Sequence, residues 1–196
     1  MAVLLIAGSP SERSRSAALL EEAGRRLARR GVLVERLQIR NLSAQALLLA
    51  DLGHASVISA LRSVANAEVL VIATPVYKAA YSGVLRVFLD LLPQTALQGK
   101  TVLPLATGGS ANHMLALDYA LRPVLQSLAA RHILSGIYAT DAQVAVTSDG
   151  GYQLNHEISS RMDDAINTLM AESLRPRLAP AGQFAPVRFS QVRCSV

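Results

Sequence analysis

The chain has 196 residues, of which 51% are hydrophobic and 4% aromatic, with one cysteine and no tryptophan. This length predicts one domain with a substantial core. The lone cysteine excludes a disulfide framework or a cysteine-rich zinc site. The formal net charge of +5 is concentrated in the last 23 residues, which carry four arginines and no acid. The body is therefore almost neutral, and no nucleic-acid surface is expected.

No part of the sequence has the roughly 18–20 consecutive apolar residues of a membrane helix. The apolar start of the chain is not preceded by a basic segment, as a secretory signal would be. We therefore expect a soluble, cytoplasmic protein with no membrane anchor.

Short apolar runs alternate with amphipathic segments over residues 1–174. Strands are predicted at 2–7, 32–37, 68–73, 101–106 and 132–139, and helices at 16–30, 55–65, 82–92, 112–131 and 154–174. Parallel strands need crossover connections, so this alternation predicts a doubly wound α/β sheet with helices on both faces. Five strands favour the flavodoxin-like order 2-1-3-4-5. Residues 175–196 are rich in proline and arginine and are predicted to be a flexible tail outside this domain.

The loop after the first strand, Gly8 to Ser16, combines serines with two arginines. Ligands of doubly wound sheets bind at the carboxyl ends of the strands, and the free N–H groups of a helix start attract anions. We predict a phosphate site to which Ser14 and Ser16 donate hydroxyl groups and Arg15 adds positive charge. The alternative is that Ser14 or Ser16 only caps the helix, which leaves the remaining serines and the arginines unexplained.

Two further loops follow predicted strands at the same edge of the sheet. The segment 74–83 contains Tyr77 and Tyr81, two of only five tyrosines, and a planar ligand can lie along it with Ser82 at its polar edge. Ordinary packing of the tyrosines is an equally good interpretation, and Lys78 is either a surface charge or a contact to a cofactor phosphate. The segment 107–109 (Thr-Gly-Gly) allows close approach of a flat ligand, although a plain turn has the same sequence.

The sequence lacks the motifs of several other kinds of active site and binding site. The first loop has no dinucleotide glycine fingerprint and no cysteine, and neither a P-loop nor a nucleophile elbow occurs elsewhere. The four histidines, His54, His113, His132 and His156, do not have metal-ligand spacing. A phosphorylated planar ligand without a protein nucleophile suggests that the ligand itself performs the chemistry.

Three segments together resemble the NADPH-dependent FMN reductases, and in particular the reductase components of two-component alkanesulfonate monooxygenase systems. They are Gly8-Ser9-Pro10 with Ser14-Arg15-Ser16, the stretch from Ala73 to Gly83, and the stretch from Leu103 to Gly109. The resemblance covers residues 2–172, and the second segment is its most specific part.

The resemblance implies that the protein binds FMN and NADPH. It assigns the FMN phosphate to Ser9, Ser14 and Ser16, the isoalloxazine ring to Pro75, Val76, Tyr77 and Lys78 with Ser82 nearby, and the other edge of the ring to Thr107, Gly108 and Gly109. It further implies hydride transfer from nicotinamide C4 to flavin N5, delivery of reduced FMN to a separate FMNH2-dependent monooxygenase, and a homo-oligomer that is a dimer of dimers. No metal and no acid–base residue is expected.

The fourth predicted helix contains Pro123, which has no N–H to offer the carbonyl of Tyr119. This predicts a kink or a single π-helical turn, a feature often found at functional sites. Reductases similar to this chain carry an inserted residue here, at a subunit interface beside the flavin. We hypothesise that Tyr119 is that residue and restricts how flavin is held and released; the alternative is a proline kink with Tyr119 merely packed.

Two other functions remain open from the sequence. One is a quinone, azo-dye or metal-ion reductase that keeps FMN bound, and the other is a non-enzymatic electron carrier like flavodoxin. The nearly neutral body counts against the carrier, because flavodoxins tend to be strongly acidic.

Overall fold

The apolar runs of the sequence form the centre of a parallel sheet in the computed structural model, which describes residues 2–174. The strands are β1 (Ala2–Ala7), β2 (Leu33–Gln38), β3 (Val69–Tyr77), β4 (Ala80–Tyr81), β5 (Thr101–Gly108), β6 (His132–Ile133), β7 (Ile137–Thr140), β8 (Val144–Val146) and β9 (Tyr152–Leu154). β1 lies between β2 and β3, and β3 pairs with β5. Both β6 and β7 pair with β5 in parallel. The predicted order 2-1-3-4-5 is confirmed, with the fifth position shared by β6 and β7.

Helices cover both faces of the sheet, as predicted. They are α1 (Arg15–Arg29), α2 (Ala44–Leu48), α3 (Ala55–Asn66), α4 (Gly83–Asp90), α5 (Arg122–Ser127) and α6 (His156–Glu172). α1 and α6 pack on the face that carries Val3 and Leu5, while α3, α4 and α5 pack on the face that carries Leu4 and Ile6. Successive strand residues point to opposite faces, so a strand covered on both sides is apolar throughout.

The structure differs from the predicted elements in several places. The strand predicted over 132–139 is divided into β6 and β7, and the helix α2 was not predicted. β3 continues past residue 73 to Tyr77 and turns back into β4, where the sequence predicted a loop. The helix predicted over 112–131 is broken into a 3-10 turn (Ala111–His113), a π-helical turn (Leu117–Leu121) and α5. The hairpin of β8 and β9 was not predicted, because both strands are only three residues long and too short to show a period.

Residues 175–196, the predicted tail, lie outside the described residues. None of the helices between residues 2 and 174 combines the length and the apolar composition needed to cross a membrane.

Candidate active site

Three loops meet at the carboxyl edge of the sheet and enclose a cavity of about 220 Å³. The first follows β1, and the other two begin in the last residues of β3 and β5. β1 and β3 lie on the two sides of the point where the strand order reverses. The cavity is lined by Ser9, Ser11, Arg13, Ser14, Arg15, Pro75, Val76, Tyr77, Thr107, Gly108, Gly109, Asp141 and Tyr152. The structure thus brings together most of the residues that the sequence singled out, from segments far apart in the chain.

The first loop presents hydroxyl groups at the start of α1. Ser14 is the N-cap, and its Oγ accepts from the N–H of Ala17 at 3.5 Å and lies 2.8 Å from the Oγ of Ser16. The capping interpretation is therefore correct for Ser14. The cap is long, however, and the Ser14 hydroxyl still lines the cavity, so capping and anion binding are compatible. Ser16 itself is buried beneath Ser14 and does not line the cavity.

Close packing fixes the path of this loop at Gly8. A Cβ added to Gly8 would lie 2.9 Å from the Cβ of Leu85 and 3.0 Å from the carbonyl oxygen of Ala73. The N–H of Gly8 donates to that same carbonyl at 2.8 Å. Only glycine allows the chain to leave β1 this close to β3 and α4.

Positive charge at the end of the cavity formed by the first loop comes from Arg13 and Arg15. The Nε of Arg15 donates to the carbonyl of Val144 at 3.0 Å, and its Nη1 lies 3.6 Å from the carboxylate of Asp141. Arg15 therefore joins the first loop to the segment after β7. Its guanidinium is held in place, with about a third of the side chain still exposed.

The second loop is a tight hairpin that holds the end of β3. Val76 pairs with Tyr81 and Tyr77 with Ala80, so only Lys78 and Ala79 form the turn. Both have positive φ values, +50° and +63°, which is the pattern of a type I′ turn. Such turns usually contain asparagine and glycine, because other side chains are strained there. The chain therefore carries backbone strain directly beside the cavity.

Replacing Ala79 with glycine is expected to raise the free energy of unfolding by about 0.5–1 kcal/mol, because glycine adopts positive φ without strain. Thermal or urea unfolding measures the gain. Ala80→Gly is the matched control: Ala80 lies one position further, in β4 with ordinary strand φ, and this change should lower stability. Equal effects of the two substitutions would show that the turn is not strained.

Buried hydrogen bonds fasten the second loop to the first. The Oγ of Ser82 donates to the carbonyl of Gly8 and accepts from the N–H of Leu85, which makes Ser82 the N-cap of α4. The N–H of Ser82 donates to the Oγ1 of Thr74 at 2.9 Å. Ser82 therefore lies behind the cavity rather than in it, and it joins the first loop to the hairpin.

The third loop is supported from beneath by Tyr138 of β7. The hydroxyl of Tyr138 donates to the carbonyl of Ser110 at 2.6 Å. A Cβ on Gly108 would lie 2.5 Å from that hydroxyl oxygen and 3.3 Å from the Cβ of Val76. Burial, followed by the nearby Asp141 carboxylate, raises the pKa of Tyr138, so the phenol stays protonated and can donate. The sequence predicted that the Thr107–Gly109 segment allows another group to approach closely. In the structure, the group nearest to Gly108 is the hydroxyl of Tyr138.

The predicted π-helical turn is present at Leu117–Leu121 and contains Tyr119. The N–H of Arg122 bonds to the carbonyl of Leu117, five residues back, directly before Pro123. In a single copy of the chain, Tyr119 is 79% exposed. The alternative, in which its side chain packs within the same chain, is therefore wrong. The turn lies against β4, the strand that follows the Lys78–Ala79 turn.

Four predicted residues do not line the cavity: Ser16, Lys78, Ser82 and Tyr119. Four residues that line it were not among the predicted site residues. Ser11 and Arg13 belong to the first loop, Asp141 directly follows β7, and Tyr152 is in β9. The rule that placed the other loops also applies to Asp141, because it stands at the carboxyl end of a strand. Tyr152 belongs to the unpredicted hairpin, and its sequence gave no comparable signal.

The arrangement fits a flavin mononucleotide. The N–H groups at the start of α1, the Ser14 hydroxyl and two guanidinium groups suit a phosphate at one end. The backbone of Pro75–Tyr77 and of Thr107–Gly109 forms narrow walls at the other end, where side chains larger than glycine are excluded at Gly108. Among residues 2–174, no three His, Cys, Asp or Glu side chains are placed to hold a metal ion.

A parallel sheet of this order, with a cavity between the serine- and arginine-bearing loop after β1 and the carboxyl ends of β3 and β5, is typical of flavin-binding oxidoreductases of the flavodoxin-like class. Comparison with known proteins narrows the class further. The chain matches the family NADPH-dependent FMN reductase over residues 1–145. It is 47% identical over 184 residues to the FMN reductase (NADPH) of Pseudomonas putida KT2440, covering 93% of both chains.

Two further similarities support the same family. The FMN reductase (NADPH) of Escherichia coli K12 is 45% identical over 168 residues, which cover 86% of this chain and 87% of that one. The apo crystal structure of an NADH:FMN oxidoreductase is 40% identical with a TM-score of 0.80, covering 90% of this chain and 91% of the other. The chain belongs to the NADPH-dependent FMN reductase family, and it is an oxidoreductase that uses FMN and NADPH.

Proposed function

We propose that this FMN reductase does not keep its flavin, and that it supplies reduced FMN to a separate monooxygenase of the alkanesulfonate type. The size of the cavity is the observation that carries this proposal. At about 220 Å³ it is smaller than the roughly 300–1,000 Å³ of sites that enclose a ligand. FMN bound to one chain therefore leaves much of its ring uncovered, which suits exchange.

When both are bound, NADPH supplies a hydride from nicotinamide C4 and FMN accepts it at N5. The residues of the chain position the flavin for this transfer. Arg15, held by Val144 and Asp141, and the first turn of α1 fix the phosphate, while Gly108 and the hairpin after β3 fix the plane of the ring. Positioning of this kind contributes several kcal/mol to a reaction between two bound partners, and it requires no proton donor from the protein.

A coupled assay tests the proposal. The purified protein should lose FMN on gel filtration, reduce added FMN with NADPH, and support sulfite release from an alkanesulfonate when an FMNH2-dependent alkanesulfonate monooxygenase is added. A protein that stays yellow with one FMN per chain, reduces a quinone or azo dye and gives no sulfite would instead be a reductase that retains its flavin. A yellow protein that does not oxidise NADPH would be an electron carrier.

We further propose that a second copy of this chain covers the apolar surface beside the cavity. The large exposed apolar side chains there are Leu48, Leu49, Leu52, Tyr77, Met114, Leu115 and Tyr119. An apolar groove of about 440 Å³ joins α2 to Tyr77 and α4. An exposed surface of this kind marks an interaction site, and the family resemblance favours a dimer of dimers. Light scattering on Leu48→Glu, with Leu33→Glu on β2 at the opposite edge as control, distinguishes loss of the interface from a general loss of solubility.

Tyr119 lies in this surface, and we propose that it controls flavin release. Deleting Tyr119 removes the extra residue and should convert the π turn to a regular helix. We expect the deletion variant to retain FMN through gel filtration and to reduce free FMN at least about tenfold more slowly. Tyr119→Ala is the control, since it keeps the turn and removes only the ring. If the deletion variant binds and releases FMN as the parent does, Tyr119 has no such role.

A further inference from the structure

A second groove borders the FMN cavity on the other side of the phosphate loop. It has a volume of about 340 Å³ and lies between α1 and the carboxyl end of β2. The residues that line both the groove and the cavity are Ser9, Ser11, Arg13, Ser14 and Tyr152. One extended ligand, or two adjoining ligands, can therefore contact both.

The groove has an apolar floor and a positively charged rim. Leu5 and Ala7 of β1, Ala17 and Leu20 of α1 and Leu37 of β2 contribute apolar surface. The guanidinium groups of Arg13, Arg36 and Arg40 stand around it. This combination suits a planar, largely apolar group that carries an anion. We call it the arginine groove.

Two carboxylates face these arginines and leave an excess of positive charge. Arg36 Nε lies 3.1 Å from an oxygen of Glu21. Arg40 Nη2 lies 3.7 Å from an oxygen of Glu12, whose side chain is 84% exposed. Because the Glu12 contact is long and open to water, it stabilises little, and an incoming phosphate can replace it at Arg40.

NADPH differs from NADH only in a phosphate on the 2′ oxygen of the adenosine ribose. In dinucleotide-binding sheets, an arginine beyond the second strand accommodates this phosphate. Arg36 and Arg40 stand at the corresponding end of β2, although the first loop lacks the glycine fingerprint of those sheets. The proposed FMN phosphate lies at the start of α1, whereas Arg36 and Arg40 do not line the cavity and can contact a second anion.

We infer that the arginine groove binds the adenosine 2′-phosphate of NADPH, and that Arg36 and Arg40 determine the preference for NADPH over NADH. This inference rests on the proposed use of NADPH and FMN together. The inference also explains why chains of one fold can prefer either NADPH or NADH. A related structure is an NADH:FMN oxidoreductase. Because Arg36 and Arg40 lie outside the FMN cavity, they can be replaced without disturbing FMN binding.

Steady-state kinetics test the assignment. Arg40→Ala and Arg36→Ala should each raise the KM for NADPH at least tenfold, while the KM values for NADH and FMN and the kcat stay within twofold. Arg62→Ala is the matched control, because Arg62 is exposed on α3 at the other face of the sheet. Glu12→Gln should change the KM for NADPH in the opposite direction, because it removes the carboxylate that competes for Arg40.

Binding to the protein without flavin gives a readout independent of turnover. By calorimetry, adenosine 2′,5′-bisphosphate should bind at least tenfold more tightly than adenosine 5′-monophosphate, and Arg40→Ala should abolish the difference. Thermal unfolding checks that each variant is folded; Arg36 is the safer site, because its side chain is 46% exposed and that of Arg40 is 29% exposed.

The outcomes separate the inference from the proposed function. If the variants raise the KM for NADH as much as for NADPH, or raise that for FMN, the groove does not bind the 2′-phosphate, whereas FMN reduction stands. If the parent protein does not reduce FMN with either nicotinamide, the proposed function fails. The calorimetric preference for the 2′-phosphate then still decides whether the groove binds it.

Discussion

Replacing Ser14 with aspartate is expected to raise the KM for FMN at least about 100-fold and to leave the protein as stable as before. Aspartate is as good an N-cap as serine, and a negative charge at the start of a helix is favourable. The free energy of unfolding should therefore change by less than about 0.5 kcal/mol. The carboxylate, however, would stand where we propose that the phosphate of FMN binds. Two like charges about 4 Å apart repel by roughly 4 kcal/mol at an effective dielectric constant of 20.

The measurement compares flavins with and without the phosphate. Riboflavin lacks the anion, so its reduction by Ser14→Asp should change by less than about threefold. Ser14→Asn, which caps the helix without a charge, should leave the KM for FMN within about tenfold of the parent. If Ser14→Asp slows the reduction of FMN and of riboflavin equally, Ser14 affects the fold or the binding of the isoalloxazine ring rather than the binding of the phosphate. No loss with either flavin would place the phosphate elsewhere on the molecule.

The fold and the position of the cavity could be predicted because each depends on patterns within single segments. The run Ala2–Ala7 is apolar on both faces, which is typical of a central parallel strand. Gly8 ends that run, and the serines after it begin a helix. Pro123 lacks an N–H whatever surrounds it, so a disturbed helix near Tyr119 follows from the sequence alone. The carboxyl ends of β1, β3 and β5 then meet at one edge.

The features of the cavity that the sequence did not predict depend on contacts between distant segments of the chain. Nothing local to Ser82 shows that its hydroxyl is used by the carbonyl of Gly8, 74 residues earlier. The strand-end rule places Asp141 at the right edge of the sheet, but nothing local to it shows that its carboxylate lies 3.6 Å from Arg15 of the first loop. The turn at Lys78 and Ala79 has no residue that favours positive φ, so tertiary packing must hold it. Sequence patterns predict strands and loops well, and side-chain directions within a site only poorly.

The contact between Gly108 and Tyr138 gives the second large effect. Gly108→Ala is expected to lower the free energy of unfolding by about 1–3 kcal/mol and to raise the KM for FMN at least about tenfold. The new Cβ would lie 2.5 Å from the Tyr138 hydroxyl oxygen. Either the ring shifts and the bond to Ser110 breaks, or the loop moves into the cavity. Tyr138→Phe alone should cost about 1–2 kcal/mol, because the Ser110 carbonyl loses its donor.

The double variant distinguishes a steric cause from a general intolerance of side chains at this loop. Without the hydroxyl, the next atom of the ring, Cζ, lies 3.4 Å from the added Cβ, close to an ordinary contact. Gly108→Ala should therefore cost at least about 1 kcal/mol less in the Tyr138→Phe background than in the parent, and the KM for FMN should recover in part. Additive losses would show that the contact with Val76, or the cavity wall itself, excludes the methyl group. A recovery would establish that Tyr138, which the sequence did not single out, sets the position of the loop at which we propose that the flavin is bound.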